Sequence, residues 1–222
     1  MSDEQKIRIL TNGPYVVRGG VPLARTAQVE TVYGEPVDWA PLEPIDLETP
    51  DNYQLCRCGR TDNRPFCDDT CEGDFDGTEV ADRGPRSDRA IHFPGTDMVL
   101  TDDRSLCTQA GYCGDRFRTV WMMMPETSDP EIRERVQHMI SLCPSGRIAW
   151  APDDDADAVE PPYEPGVAII QDGPIWVRGG VAVIASDGDR YEVRNRDTLC
   201  RCGHSKNKPF CDGSHKDVGF RG

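Results

Sequence analysis

Apolar positions along this chain come in short runs, and the runs repeat. Lys6-Ile-Arg-Ile-Leu10 alternates, Asn12-Gly13-Pro14 interrupts, Tyr15-Val-Val-Arg18 resumes, and Gly19-Gly20 breaks before Val21. The series returns 160 positions later as Val167-Ala-Ile-Ile170, Asp172-Gly173-Pro174, Ile175-Trp-Val-Arg178 and Gly179-Gly180-Val181. Each copy predicts strand, tight turn, strand, break. Asp187-Gly188, between Val181–Ile184 and Tyr191–Val193, predicts a further hairpin turn. The glycine pairs read as turns or bulges, because no G-x-G-x-x-G or G-K-[ST] accompanies them.

The pattern changes between the copies. Ile132, Val136, Met139 and Ile140 place apolar residues on one face of a helix that starts at Ser128-Asp129-Pro130-Glu131 and ends before Cys143. Met98-Val-Leu100 leads through Thr101-Asp-Asp-Arg104 toward Cys107, and the run Val120-Trp-Met-Met-Met124 reads as strand or core filler. Residues 35–51 hold four prolines, which exclude a regular helix or central strand. They read as an extended cover, with Trp39 and Leu42 as its packing residues. Residues 72–88 read as a connection. Residues 151–166, with Asp153-Asp-Asp155, Asp157 and four prolines, read as a solvated tether.

Ten cysteines are too many for inert core residues. Met1–Leu10 has no secretory pattern and no run nears the length of a membrane span. A reducing cytoplasm is therefore expected, where metal binding explains the cysteines better than disulfides do. Their spacing is specific. Cys200-Arg-Cys202, Cys211 and His215 form C-x-C-x8-C-x3-H in sixteen residues. Cys56-Arg-Cys58, Cys67 and Cys71 repeat it 144 positions earlier with a cysteine last. One short loop thus offers a complete soft donor set, twice.

Cys-x-Cys-x2-Ser/Thr-x3-Pro-x-Cys-Asp-Gly-Ser-His resembles the signature of the CDGSH iron–sulfur (NEET) family. The resemblance implies a [2Fe-2S] cluster on Cys200, Cys202, Cys211 and His215. It implies a second on Cys56, Cys58, Cys67 and Cys71, where Asp69, Thr70 and Cys71 depart from the family's Gly, Ser and His. It also implies that the two copies pair within one chain, as single-motif members pair into two-fold β-cap dimers. Asp212-Gly213-Ser214 is expected to turn its N–H groups toward the cluster. Phe210 is expected to shield it, and the Ser205 and Thr61 hydroxyls to hydrogen-bond a ligand sulfur. Zinc is the competing occupant, although a single residue between two ligands is unusual for it.

Cys107, Cys113 and the remote Cys143-Pro144 resemble a divergent mono-cluster ferredoxin, in which Ala110 fills the second cysteine place of C-x2-C-x2-C. A [3Fe-4S] cluster follows most simply. A [4Fe-4S] cluster needs water, a carboxylate such as Asp115, or a distant histidine on its fourth iron. Three unliganded core cysteines are the bland alternative. His92, His138 and His204 are read as ordinary surface or core histidines.

The expected architecture is α+β. It has a CDGSH-like domain over 1–80, a small ferredoxin-like α+β domain over 81–150, a linker over 151–166 and a CDGSH domain over 167–222. The two CDGSH units form an intrachain pseudo-two-fold β-cap. A net charge of −14 excludes nucleic acid and suits a redox partner with a basic docking face. One-electron transfer, without turnover of an organic substrate, is the expected function. A cluster donor or a redox or iron sensor built on the labile His215 ligand is the alternative. In Rieske centres two histidines raise the potential to about −150 to +300 mV, against about −400 mV with all-cysteine ligation. The His215 site is therefore expected to sit above the all-cysteine site.

Overall fold

The computed structural model describes residues 5–70 and 73–222. It is built mainly of small sheets with few helices. The first copy supplies strands Lys6–Ile9, Tyr15–Arg18, Leu23–Thr26 and Asn52–Leu55. The second supplies Gly166–Ile170, Ile175–Arg178, Ala182–Ile184 and Arg196–Leu199. The two Asn/Asp-Gly-Pro turns close the first hairpin of each copy, with Ile7 opposite Val17 and Val167 opposite Val177.

The third strand of each copy leaves its own sheet. Ala182–Ile184 pairs in parallel with Lys6–Ile9, and Leu23–Thr26 pairs in parallel with Gly166–Ile170. Ile7 lies opposite Val183 and Val167 opposite Leu23, which are corresponding positions of the repeat. The exchange starts at the Gly19-Gly20 and Gly179-Gly180 turns, which all have positive φ. One apolar core results, drawn from both copies and including Ile7, Val17, Leu55, Val167, Ile175, Leu199 and Phe210. Because each sheet needs a strand of the other copy, neither half can bury its apolar face alone. The Asp187-Gly188 turn is present, but Tyr191–Val193 forms no strand; a bridge from Ile184 to Arg190 ends the pairing.

The middle segment has its own core. Strands Ile91–Pro94, Val99–Asp102 and Ile148–Ala151 form an antiparallel sheet with the Val99 strand central. Helix Pro130–Ser141 covers it, burying Val136 and Ile140, with the Asp129 carboxylate accepting from the Glu131 N–H at its start. Val120–Met123 is a short helix rather than a strand. The Thr119 hydroxyl accepts the Met122 N–H, and three of the five residues in the run are unbranched methionines. The run still fills core through Val120, Met123 and Met124.

Two connecting segments do more than join. The proline-rich insert forms short edge strands, Pro36–Trp39 on Gln28–Glu30 and Glu43–Pro44 on the Leu23 strand. Trp39 lies between Tyr112 and Trp176, at centroid distances of 4.9 and 5.0 Å, and its indole N–H donates to the Leu142 carbonyl at 3.0 Å. Leu42, the other packing candidate, stays exposed. The acidic tether is solvated only in its first part. Glu160 pairs with the fully buried Arg196, and Tyr163 meets the edge of Trp176. Among the described residues no helix is long and apolar enough to cross a membrane.

Candidate metal centres

At the second cysteine loop the donors stand in two pairs. The Cys200 and Cys202 sulfurs are 3.8 Å apart, and Cys211 Sγ is 3.4 Å from His215 Nδ1. A tetrahedral metal with bonds of about 2.3 Å to sulfur separates two of its thiolates by about 3.8 Å, so each pair suits one metal. All four groups are buried. At the first loop Cys56 and Cys58 are 3.5 Å apart, and Cys67 is half-buried beside Asp69. Cys71, the expected fourth ligand, lies outside the described residues. Among the described residues no cluster of three or more His, Cys, Asp or Glu side chains is set to hold a single ion. At the second loop, the separate donor pairs fit a bridged two-metal centre better than a lone zinc.

Local structure explains the pairs. The strands Asn52–Leu55 and Arg196–Leu199 deliver Cys56 and Cys200 at their ends. The Cys56 N–H donates to Pro65 O and the Cys200 N–H to Pro209 O, which folds each loop back on itself. The Thr61 hydroxyl donates to Phe66 O and the Ser205 hydroxyl to Phe210 O. These hydroxyls therefore close the loops and do not reach the sulfurs, contrary to expectation. Backbone N–H groups take that role: Gly59 on Cys56, Arg60 on Cys58 and Gly213 on Cys211, at 3.3 to 3.4 Å. The Ser214 N–H, expected to face the metals, bonds the Asp212 carboxylate instead.

The thiols and the imidazole are biased by their surroundings. Burial raises the Cys56 and Cys211 thiols and pushes Cys67 up to about 11. The Cys202 thiol hydrogen bond holds Cys200 low, and the same shared proton keeps Cys202 high. Burial, with Lys216 and Arg201 nearby, pushes His215 down to about 4. The ring is thus neutral and free to ligate at neutral pH.

The arginine between the first two cysteines is structural, which the cysteine spacing alone does not show. Arg57 donates to Leu10 O, Gly13 O and Gly77 O. Arg201 donates to the matching Ile170 O and Gly173 O, and to Gly222 O. Each buried cation thereby locks its own copy's turn beneath its cysteine loop. The repeated C-R-C was the signal available in the sequence. Phe75 was also missed; it packs on Cys56 and Cys58 from a segment read as mere connection. Phe210 is buried, as the shielding reading expects.

The three middle cysteines surround one small cavity of about 130 Å³. Cys107, Cys113 and Cys143 line it with Ala110, Ser145 and Arg147. Arg147, held by the fully buried Asp102 through two bonds of 2.7 and 2.9 Å, donates to Cys107 Sγ at 2.9 Å. Burial lowers the Arg147 pKa, but Asp102 and the Cys107 sulfur outweigh it and raise it overall. Asp115 does not line the cavity. Its carboxylate accepts from the Phe117 and Arg118 N–H groups and pairs with Arg135. No histidine lines it either. The donor set facing the cavity is three sulfurs with a methyl group at the fourth place, which fits a multi-metal cluster with one corner lacking a thiolate. His92 pairs with Asp154 at the surface, and His138 and His204 are exposed.

The sites are not isolated. A Cβ added at Gly59 would lie 2.8 Å from Cys202 O, and one at Gly203 2.6 Å from Cys58 O. The two Cys-x-Cys loops therefore pack backbone to backbone, reciprocally. Tyr15 of the first copy donates to Cys200 O at 2.9 Å and to Pro209 O at 3.1 Å.

Comparison with known families agrees with this geometry. Residues 12–70 and 172–216 each match the model described as an iron-binding zinc finger of CDGSH type. Residues 93–152 match a divergent 4Fe-4S mono-cluster model. No curated protein and no solved structure matches the chain.

Proposed function

We propose that this chain, an iron–sulfur protein with two CDGSH segments around a divergent 4Fe-4S mono-cluster segment, carries single electrons between protein partners. The observation that carries this reading is the reciprocal approach of Gly59 to Cys202 and of Gly203 to Cys58, which sets two donor loops in direct contact. We read the exchanged third strands as an internal version of a two-fold β-cap, with 1–80 and 167–222 as its halves. Residues 81–150 are the ferredoxin-like unit between them, joined to the second half by 151–166.

Cys56, Cys58, Cys67 and Cys71 hold one [2Fe-2S] cluster in this reading, and Cys200, Cys202, Cys211 and His215 hold another. Cys107, Cys113 and Cys143 hold a [3Fe-4S] cluster, or a [4Fe-4S] cluster whose fourth iron takes a non-protein ligand. Bound clusters supply one-electron capacity. The chain supplies the rest. Arg147 places a cation on Cys107, Arg201 lies beside Cys56 and Cys202, and backbone N–H groups offset the ligand charge. Phe75 and Phe210 keep water away. The acidic surface steers a partner with a basic docking face. No organic substrate is turned over.

The alternative role as a cluster donor needs a reachable His215. That residue is only 6% exposed, which favours the carrier. A reductive titration followed by EPR tests the reading. Separate one-electron steps at distinct potentials are expected. Sites that stay redox-inert would overturn it.

A further inference from the structure

We infer that the Cys200–His215 loop is the junction through which the other two cysteine sites are coupled, with Gln109 and Lys216 bridging it to the middle site. This rests on the carrier reading and adds an order to it: first site, His215 site, middle site.

One side of the junction is the seam already described, where Cys58-Gly59 and Cys202-Gly203 interlock. Arg201 and Cys56 line the same small gap there. On the other side stands the middle site's own cysteine loop. Gln109 has φ +58, an unusual conformation for a residue with a side chain, and it lays that side chain across Gly213. A Cβ on Gly213 would lie 2.6 to 2.7 Å from Gln109 Cγ, Cδ and Nε2. The Lys216 ammonium donates to Gln109 O at 2.6 Å, and Asn207 donates to Ser105 O at 2.8 Å. Buried Arg196 donates to Cys143 O at 3.0 Å. The neighbours of Cys107 are thus fastened to the neighbours of Cys211 and His215, and Cys143 itself to Arg196 on the strand that leads into Cys200.

The first copy holds the middle unit differently. It uses its 28–39 hairpin, through Gln28 to Ala110 O, Tyr112 to Asp38 O, and Trp39. Its cysteine loop shows the complementary trait at the position matching Gly213. Asp69 stands there, exposed, with φ +59. At the first site a residue with a side chain holds the left-handed turn at φ +59; at 213, where φ is +90, the backbone favours glycine and the Gln109 side chain occupies the space a Cβ would take.

In operation, one electron from a one-electron redox protein enters at an outer site and leaves from the other to a second such protein. The donor is oxidised by one electron and the acceptor reduced by one, and no covalent bond changes.

The test is EPR of the full-length protein, reduced with dithionite, read for magnetic interaction between sites. Cys58→Ser, Cys202→Ser and Cys113→Ser each remove one site, with iron analysis confirming the two that remain. Interaction is expected to persist in Cys58→Ser and in Cys113→Ser and to be lost in Cys202→Ser. An interaction in Cys202→Ser equal to that in the other two would overturn the order. The double variant Gln109→Gly with Lys216→Met keeps every ligand and decides the matter if Cys202→Ser does not fold. It is expected to lose the middle-site interaction and keep that between the two CDGSH sites; an unchanged middle-site interaction would overturn the bridge. A wild type with no reducible site would instead overturn the carrier reading itself.

Discussion

Gly59 and Cys202 are so close that a single methyl group on the glycine would fall 2.8 Å from the cysteine's carbonyl oxygen. The mirror contact, Gly203 against Cys58, is tighter still at 2.6 Å. Both obstacles are backbone atoms, which cannot swing aside. The two donor loops therefore share one close backbone seam.

Gly203→Ala combines a left-handed backbone at φ +82 with that clash. It should destabilise the protein by more than the roughly 1–3 kcal/mol of backbone strain alone. Gly188→Ala, at φ +98 with open space around it, carries the strain without the clash. Denaturant unfolding of both variants measures the difference. Equal losses would mean that the seam is looser than described.

Arg201→Met should cost roughly 1–3 kcal/mol, because it strands the Gly173 carbonyl and takes one of two donors from those of Ile170 and Gly222. Iron retention should fall at the second site before the first, since only the second loop loses its anchor. Unfolding curves and site-resolved iron loss check this.

Arg147→Met removes a charge-assisted hydrogen bond from Cys107, so the middle site should become harder to reduce, by roughly 60 mV for each 1.4 kcal/mol of lost stabilisation. Arg147→Lys keeps the charge and should shift less. Potentiometric titration reads both, and an unchanged middle-site potential would contradict the assignment.

His215→Cys gives the second site the ligand type of the first. Its potential should fall toward that of the all-cysteine site, by on the order of 100–300 mV. The same titration reads the shift, and the first site's potential should not move.

Much of this was legible in the sequence. The duplicated strand–turn–strand unit could be read because Asn12-Gly13-Pro14 and Asp172-Gly173-Pro174 punctuate it identically. The Pro130–Ser141 helix could be read from its cap and its spacing. The strand exchange could not, because nothing local to Leu23–Thr26 or Ala182–Ile184 says which sheet a strand will join. The run at 120–124 could be read as core filler, but its helix could not, because a methionine run has no period and the Thr119 cap decides it. The grouping of Cys200 with Cys202, of Cys211 with His215, and of Cys107 with Cys113 and Cys143 was legible because metals need particular atoms at particular spacings. The partners of Ser205, Thr61 and Asp115 were not, since a short polar side chain takes whichever neighbour the fold brings. Gln109 gave no signal at all; its role arises from packing between segments a hundred residues apart.

The most direct measurement is iron and acid-labile sulfide content, with EPR of the protein as isolated. About seven irons are expected, two at each CDGSH site and three in the middle, with sulfide in comparable amount and a signal from the oxidised three-iron cluster only. A folded, colourless protein that carries zinc and no sulfide would contradict the account.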